Sequence, residues 1–402
     1  MRVTPKHIAF FGNFGSDNLG NEASLKAMLG FIRRERPDAQ ITCICYGVER
    51  ARAEHHVTAI PMKLPFPKKW WFATINRLLV GLPFRFLEIM RTLYLARRFD
   101  VFVVPGTGIL DDFNERWQAM PYDLFRWSVS AKLYGRPFAL VSIGAGPIHH
   151  PISRWLMTSA ARMASYRTYR DAASQDYMRA LGFPAQDLVF PDLVFKLPEP
   201  EYAPVELRNG VPPTIGVGVM HYYGWDRASA SRAQIHETYI TQVTQFVCWL
   251  LDHGYRVRLL MGALSDQLSF DDVLRRVATQ RGEPAAAYVV AEPAHSLQEL
   301  MCQIRETELI VATRFHNIVA ALKVGRSAIS VGYAEKNDAL LAQVGLDAFC
   351  QPIEGLDVAR LISEFQALFH EREQFSKRIR DVTEQFRKRL ENQDAHFLEK
   401  LL

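Results

Sequence analysis

The sequence predicts two α/β domains that face each other across a cleft, and three observations support this fold class. The chain has 402 residues, about two and a half times the usual length of one domain. Short apolar, β-branched runs alternate with helix-length amphipathic stretches throughout, which is typical of parallel βαβ units. Five prolines between Pro198 and Pro213 interrupt this pattern, because proline removes backbone donors and fixes φ.

The elements follow in a regular order. The chain divides into a first domain, a proline-rich linker and a second domain, predicted at residues 1–200, 201–213 and 214–402. Apolar runs predict strands at 7–11, 40–45, 101–104, 138–143, 166–169 and 188–190, then at 214–219, 256–261, 287–290, 309–312 and 328–331. Residues 239–251 have helical spacing and end before Gly254, a suitable C-cap. From Leu356 onward strand signals stop and opposite charges balance, which predicts terminal helices.

Composition excludes several classes of protein. Hydrophobic residues make up 49% of the chain and charged residues 23%, values that are ordinary for a globular protein and argue against disorder. The five cysteines are scattered and form no C-x-x-C pair, so neither a disulfide scaffold nor a structural zinc site is indicated. The opening apolar run is too short for a signal peptide, and no window of about 18 residues is uninterruptedly apolar. We therefore expect a cytoplasmic protein in a reducing compartment.

Positive charge is concentrated in one segment. Residues 61–100 contain eight lysines and arginines against two acidic residues, and they are also rich in Trp, Phe and Leu. One interpretation is a helical insertion whose aromatic side chains pack inside the domain. The other is a patch that contacts an anionic membrane at the inner face of the cell membrane. No nucleic-acid-binding motif accompanies these basic residues, so nucleic acid is not expected as a partner.

Glycine-rich loops follow three predicted strands, at 12–22, 105–112 and 144–148. Open α/β sheets bind ligands at the carboxyl ends of their strands, where such loops lie. The first loop leads into a helix, and its backbone N–H groups suit an anionic or hydroxylated ligand. Its glycine spacing matches neither G-x-G-x-x-G nor the Walker pattern, so a nucleotide-phosphate site is weakly supported.

A fourth loop carries an arginine and a histidine two residues apart. Arg314 and His316 directly follow the predicted strand 309–312, so both side chains can reach a ligand at that sheet edge. Arginine is a permanent bidentate partner for carboxylate or phosphate, and histidine moves a proton near neutral pH. Lys336 follows the next strand and supplies a further cation. A serine-hydrolase G-x-S-x-G elbow and an H-E-x-x-H zinc motif are both absent from the sequence.

At these residues the sequence resembles the polysaccharide pyruvyl transferase family. The matching motifs, in chain order, are G-N-E-A at 20–23, P-G-T-G at 105–108, S-I-G-A-G-P-I at 142–148, R-D-A-A-S at 170–174, R-F-H at 314–316 and Y-A-E-K at 333–336. Asn21 stands where the family usually has aspartate, and Phe315 replaces leucine, which we interpret as a packing change. The resemblance implies two Rossmann-like domains facing across a cleft in a GT-B-like arrangement.

The resemblance also implies an activity and its site. A pyruvyl group would pass from phosphoenolpyruvate to two hydroxyls of a sugar in a polysaccharide or its precursor, with no redox cofactor or obligatory metal. The donor would lie on the side of the second domain, where Arg314 and Lys336 would bind it together with Arg170 of the first domain. His316 would act with Arg314 in catalysis, as proton donor or by neutralising the departing phosphate. The first domain would bind the acceptor, free or lipid-linked, through Asn13, Asp17, Asn18, Gly106 and Thr107.

Two other functions fit the same fold. A glycosyltransferase of GT-B type would use Arg314 and Lys336 to hold the diphosphate of a nucleotide sugar. A non-catalytic module would bind a glycan or lipid without transferring any group. Titration with phosphoenolpyruvate and with nucleotide sugars separates the first of these from pyruvyl transfer, and phosphate release separates the second.

Overall fold

The computed structural model describes residues 6–66, 70–78, 81–113, 115–200, 212–225 and 230–402. It contains two parallel β-sheets covered by helices, which confirms the predicted fold class. Most of the predicted linker, 201–211, lies outside the described residues, so the domain boundary stays a prediction. We call the part before this gap the N-terminal lobe and the part after it the C-terminal lobe.

The N-terminal lobe is built on a sheet of seven parallel strands. The strands are β1 (His7–Phe11), β2 (Gln40–Cys45), β3 (Thr58–Pro61), β4 (Val101–Pro105), β5 (Phe138–Ile143), β6 (Tyr166–Tyr169) and β7 (Leu188–Val189). Their order is β3-β2-β1-β4-β5-β6-β7, so the chain reverses its direction of progress between β1 and β4. Loops that diverge at such a switch point form a ligand crevice. The two loops here begin at Gly12 and Gly106.

The C-terminal lobe repeats this plan with six parallel strands. They are β8 (Thr214–Val219), β9 (Arg256–Met261), β10 (Val289–Val290), β11 (Leu309–Ala312), β12 (Ser327–Gly332) and β13 (Cys350–Pro352). The order is β10-β9-β8-β11-β12-β13, with the switch point between β8 and β11. The loop after β11 holds Arg314, so this residue lies where the second crevice is expected.

Helices cover both faces of the sheets. Those of the N-terminal lobe are α1 (Leu19–Glu35), α2 (Val48–His55), α3 (Trp70–Leu78), α4 (Leu82–Ala96), α5 (Met120–Leu133), α6 (Pro151–Met163) and α7 (Ala172–Ala180). Those of the C-terminal lobe are α8 (Arg232–Asp252), α9 (Gln267–Arg281), α10 (Glu283–Ala286), α11 (Leu297–Arg305), α12 (Phe315–Lys323), α13 (Lys336–Gln343) and α14 (Val358–Leu401). Gly254 follows α8 with φ +80°, as expected of a glycine that ends a helix.

The expected terminal helices are one continuous helix, α14, of 44 residues. Its first half packs on the C-terminal lobe, where the ring centroids of Phe365 and Phe246 are 5.9 Å apart. Its second half returns to the N-terminal lobe, and the Gln393 amide donates to Ser142 and Thr168 hydroxyls at 2.8 and 2.9 Å. The helix therefore joins the two lobes through buried contacts on both.

A second junction of the lobes lies beside the cleft. The backbone N–H of Leu19 donates to the carbonyl of Gly262 at 3.4 Å, and the N–H of Leu264 donates to the carbonyl of Asp17 at 3.1 Å. The start of α1 is thus held against the loop after β9. Among the described residues, no helix is long and apolar enough to cross a membrane.

Candidate active site

A cavity of about 180 Å³ lies between the carboxyl ends of the two sheets. Both lobes contribute side chains to it, as a cleft site requires. The N-terminal lobe supplies Asn13, Asn18, Asn21, Thr107, Gly108, Ile109, Asp111, Phe113, Glu115, Met120 and Arg170. The C-terminal lobe supplies Gly262, Arg314, Phe315, His316, Tyr333 and Lys336. The four residues predicted to bind the donor and perform catalysis are thereby brought together.

Arg314 is fixed in place by a buried carboxylate. Its Nε donates to Asp266 Oδ2 at 2.9 Å and its Nη2 donates to Asp266 Oδ1 at 2.5 Å, and the Asp266 side chain is fully buried. Backbone N–H groups of His221 and Ala263 also donate to this carboxylate. Burial alone would lower the pKa of Arg314, but the contacts with Asp266 outweigh it and the pKa is raised. Arg314 is therefore a permanent, oriented cation, and its Nη1 has no hydrogen bond to any residue that the structure describes.

His316 reaches across the cleft and lies against the N-terminal lobe. Its buried Nε2 is 3.9 Å from Asp192 Oδ2 and has no hydrogen-bond partner among the described residues. Burial, followed by the charges of Arg170, Lys336 and Arg314, holds the pKa of His316 well below its usual value of 6.5. The imidazole is accordingly neutral near pH 7 in the unliganded protein.

Arg170 follows β6 and stacks on the opposite lobe. Its guanidinium carbon lies 4.2 Å from the centroid of the Phe315 ring, which is a cation–π contact. Its Nε and Nη1 lie 3.5 Å from Asp171 Oδ2 and Asp192 Oδ2, too far for good hydrogen bonds. Phe315 therefore does more than fill space in place of leucine, because its ring also holds a charged side chain of the site.

Three glycines make room for these side chains. A Cβ on Gly20 would lie 2.0 Å from His316 Nδ1, and one on Gly144 would lie 2.5 Å from Arg170 Nη2. A Cβ on Gly262 would lie 2.9 Å from Arg314 Cγ. These positions exclude larger residues because each functional side chain packs directly on a glycine backbone.

Lys336 begins α13 and lies over an aromatic ring. Its Nζ is 4.6 Å from the Tyr333 centroid, and the Phe113 ring of the other lobe is 4.9 Å from the same ring. Lys336 forms no salt bridge within the described part of the chain. Its charge is therefore available to an anion in the cavity.

Three of the five predicted acceptor residues line the cavity, namely Asn13, Asn18 and Thr107. Asn18 also caps α1, since its Oδ1 accepts from the N–H groups of the next turn. Asp17 and Gly106 are not among the lining residues. The Asp17 carboxylate pairs with Arg50 at 3.1 Å, and the carbonyl of Gly106 accepts from Ser24 Oγ at 3.1 Å.

Sequence reasoning missed three carboxylates, Asp111, Asp192 and Asp266. Burial raises the pKa of Asp111 and of Asp192, although neighbouring cations oppose this shift. Each aspartate follows a predicted strand by a few residues, and strand ends are where site residues collect. That position was the available signal, but aspartate is so common in loops that the signal alone is weak.

Comparison with known proteins identifies the family and the fold. The polysaccharide pyruvyl transferase family profile matches residues 18–335. No curated protein matches the sequence significantly. The structure resembles that of S. aureus MnaA with UDP, at a TM-score of 0.59 and 9% identity over 93% of this chain and 90% of that one.

Two further solved structures have the same architecture. HepE from Anabaena, in complex with UDP and glucose, has a TM-score of 0.58 and 14% identity, with 98% of this chain and 100% of that chain covered. A UDP-GlcNAc 2-epimerase from Neisseria meningitidis, bound to UDP-GlcNAc, has a TM-score of 0.56 and 11% identity, with 93% and 94% covered. At such identities these similarities show the GT-B-type fold alone.

The family match spans most of the chain, from the N-cap of α1 to the residue before Lys336. It therefore includes both lobes and nearly every residue of the cavity described above. The protein is accordingly a transferase, and the chain belongs to the polysaccharide pyruvyl transferase family.

Proposed function

We propose that this protein transfers a pyruvyl group from phosphoenolpyruvate to two hydroxyls of a sugar, forming a cyclic ketal and releasing phosphate. One observation carries the proposal: Arg170 from one lobe and Arg314 and Lys336 from the other converge on a single cavity. Phosphoenolpyruvate bears a carboxylate and a phosphate, and such a ligand needs several fixed cations. Family membership supports the same reaction.

The first step of the reaction is transfer of a proton to phosphoenolpyruvate. Protonation of the methylene carbon of phosphoenolpyruvate makes it a methyl group and leaves an oxocarbenium-like centre at the neighbouring carbon. The first sugar hydroxyl forms a C–O bond to this centre and loses its proton. The bond to phosphate then breaks, the second hydroxyl forms the other C–O bond, and its proton leaves with the phosphate. The balanced products are the ketal and inorganic phosphate, and no step requires a redox cofactor or a metal.

His316 supplies the proton in this scheme. The free imidazole is neutral because burial, together with the charges of three nearby cations, lowers its pKa. A bound dianion or trianion cancels that positive potential and raises the pKa of His316, so that the ring takes up a proton as the donor binds. Arg314 stays charged throughout, because Asp266 fixes it, and it stabilises the negative charge of the departing phosphate.

Asp111 is the base in this scheme. Asp111 lines the cavity from the N-terminal lobe, and burial raises its pKa although Lys336 and Arg170 oppose that shift. A carboxylate with a raised pKa accepts a proton from a hydroxyl more readily than an ordinary one. Asn13, Asn18 and Thr107 offer amide and hydroxyl partners for the sugar. The acceptor is a sugar of a polysaccharide precursor, in free or lipid-linked form.

Phosphate release provides the test. The purified protein is supplied with phosphoenolpyruvate and a panel of glycans, and phosphate is measured together with the mass of the acceptor. We expect acceptor-dependent phosphate release and a mass gain corresponding to a pyruvyl ketal. Parallel reactions replace phosphoenolpyruvate with a panel of nucleotide sugars. Glycosyl transfer in those reactions, or binding of acceptor with no phosphate release from phosphoenolpyruvate, would replace the proposal by one of its two alternatives.

A further inference from the structure

Helix α4 turns an apolar face outward, which reverses the usual amphipathic arrangement. Leu82, Phe86 and Met90 follow one another at four-residue intervals and so share one face. They are 65, 62 and 49% exposed. The opposite face carries Glu88 and Thr92, which are 5 and 0% exposed. A helix that buries its polar residues and exposes its apolar ones is suited to contact with a second apolar phase.

The exposed surface is larger than one helix stripe. Of the 17 large hydrophobic side chains that are exposed in the described part of the chain, nine lie between Phe66 and Tyr94. Leu78 on α3 is 75% exposed and extends the surface toward that helix. We call the exposed side chains of α4 the apolar patch, namely Leu82, Phe86, Leu87, Ile89, Met90 and Tyr94. Such concentration in one place marks an interaction site rather than scattered surface residues.

The charge around the apolar patch is positive. Residues 61–99 contain eight lysines and arginines and one acidic residue, Glu88. Glu88 is buried and lies 3.6 Å from Arg126, so it presents no negative charge outward. At the end of α4, the guanidinium carbons of Arg97 and Arg98 lie 4.3 and 4.8 Å from the Tyr94 ring. Apolar side chains bordered by arginines match the chemistry of an anionic lipid surface.

The apolar patch adjoins the rim of the cleft. Because α4 leads into β4, the end of the helix at Leu82 lies toward the carboxyl edge of the sheet, where the cavity is. Arg85 confirms this placement, since its guanidinium carbon lies 5.0 Å from the rings of both Trp117 and Tyr122. Trp117 belongs to the connection between β4 and α5 that carries Phe113 into the cavity, and Tyr122 lies in the first turn of α5.

We propose that the apolar patch docks on the surface of an anionic lipid bilayer, with α4 lying in the plane of the headgroups. The apolar face of such a helix enters the headgroup and acyl boundary by about 5–10 Å. A second copy of the chain is the less suitable occupant, because a symmetric contact would bring two positively charged borders together. This docking goes beyond the proposed reaction and depends on none of its steps.

Vesicle sedimentation of the full-length protein tests the proposal. We expect binding to vesicles of phosphatidylcholine mixed with phosphatidylglycerol, weaker binding to phosphatidylcholine alone, and weakening by salt. The variant Leu82→Ser/Phe86→Ser/Met90→Ser should lose about a hundredfold or more in binding, since three apolar side chains no longer enter the bilayer. Its circular dichroism and phosphate release should stay unchanged. Leu268→Ser, at a site 69% exposed on α9, is the matched control and should bind normally.

A second variant tests the contribution of the basic residues beside the apolar patch to vesicle binding, separately from that of its apolar side chains. Arg97→Gln/Arg98→Gln should lose about 25-fold in binding to the anionic vesicles, because each basic residue near such a surface contributes about fivefold. Lys388→Gln, on a 66% exposed side chain of α14, is its control. The proposal is wrong if the unaltered protein does not sediment with anionic vesicles, or if the triple serine variant sediments equally well. A dimer that the triple variant converts to monomer, with no vesicle binding, would instead assign the patch to a second copy.

Discussion

The cavity lining from the C-terminal lobe, here called the C-terminal wall, and that from the N-terminal lobe, the N-terminal wall, hold their arginines in different ways. On the C-terminal wall, two hydrogen bonds from Arg314 to the buried Asp266 fix the guanidinium before any ligand arrives. On the N-terminal wall, Arg170 rests on the Phe315 ring and lies 3.5 Å from two carboxylates. Hydrogen bonds therefore preorganise Arg314 on the C-terminal wall. Ring stacking and longer-range charge hold Arg170 on the N-terminal wall.

Buried polar atoms without partners collect around the N-terminal wall. Within the described residues, Arg170 Nε, Asp171 Oδ2, Asp192 Oδ2 and His316 Nε2 have no hydrogen-bond partner. Buried polar atoms are nearly always satisfied, so a cluster of exceptions needs an explanation. A donor with many acceptor oxygens would satisfy the nitrogen atoms among them. We infer that the C-terminal wall receives the donor and that the N-terminal wall adjusts to it.

The largest effect is expected for Arg314→Ala. Donor binding should be lost and kcat/KM should fall by about 10³-fold, because a fixed cation is removed from the transition state. The free energy of unfolding should also fall by about 3 kcal/mol, since Asp266 is left buried without its partner. Steady-state phosphate release and urea denaturation measure the two effects.

Arg281→Ala is the control for this comparison. Arg281 forms a similar two-bond contact with Asp252, at 2.8 and 2.7 Å, but on the surface. Its removal should change the free energy of unfolding by less than about 1 kcal/mol and leave turnover intact. Equal stability losses in the two variants would show that the C-terminal wall is not specially preorganised.

His316→Asn should lower kcat by about 10²-fold while changing donor affinity less. Donor binding should be accompanied by proton uptake in the unaltered protein, because a bound anion raises the pKa of His316 from its lowered value. By linkage, donor affinity then rises as pH falls below 7, relative to the variant. Calorimetry in buffers of different ionisation enthalpy measures the protons taken up. Equal uptake by both proteins, or full activity of the variant, would exclude His316 as the proton donor.

The lowered pKa of His316 also makes the free energy of unfolding depend on pH. Because the pKa of His316 is lower in the folded than in the unfolded protein, the unfolded chain binds more protons between the two values. The contribution of His316 to folding stability therefore falls as the pH drops below about 6.5. His316→Asn should lose less stability than the unaltered protein over that range, in denaturation at pH 7 and pH 5.

The fold was largely predictable from the sequence. All eleven predicted strands are present, with bounds that differ at a few ends, as at 287–290, which is β10 at Val289–Val290. Parallel strands that are buried on both faces have continuous apolar sequences, and these runs allowed the strands to be predicted. The two missed strands, β3 and β13, lie at the sheet edges with sequences TAIP and CQP. Neither TAIP nor CQP is a continuous run of apolar, β-branched residues, so the pattern could not reveal these two strands.

The sequence predicted the cationic residues of the site, but it did not predict the residues that hold them in position. Arg314, His316 and Lys336 follow strands in the printed sequence, and strand order brings them together. Asp266, which fixes Arg314, lies 48 residues away along the chain. A pairing between distant positions depends on the relative placement of the loops after β9 and β11, which local periodicity does not contain. The packing of His316 on Gly20 crosses from one lobe to the other and is equally hidden.

Gly20→Ala should displace the His316 side chain from its place against the N-terminal wall. The added Cβ would lie 2.0 Å from His316 Nδ1, so the ring must shift. We expect kcat to fall about tenfold, because small displacements of reacting groups are costly. Gly30→Ala is the matched control within α1, with no atom within 4 Å of the added Cβ. It should stabilise the protein by about 0.5–1 kcal/mol and leave kcat unchanged.

The smallest effect is expected for Phe315→Leu, which restores the usual family residue. If the N-terminal wall is held by stacking, loss of the ring under Arg170 should raise KM for phosphoenolpyruvate about two- to fivefold. Phe183→Leu removes a similar ring, 5.2 Å from the Arg167 guanidinium and outside the cavity lining, so it should affect stability but not KM. An unchanged KM in Phe315→Leu would mean that Asp171 and Asp192 suffice to place Arg170. Carboxylates would then position the arginine on both walls, with closer contacts to Arg314 than to Arg170.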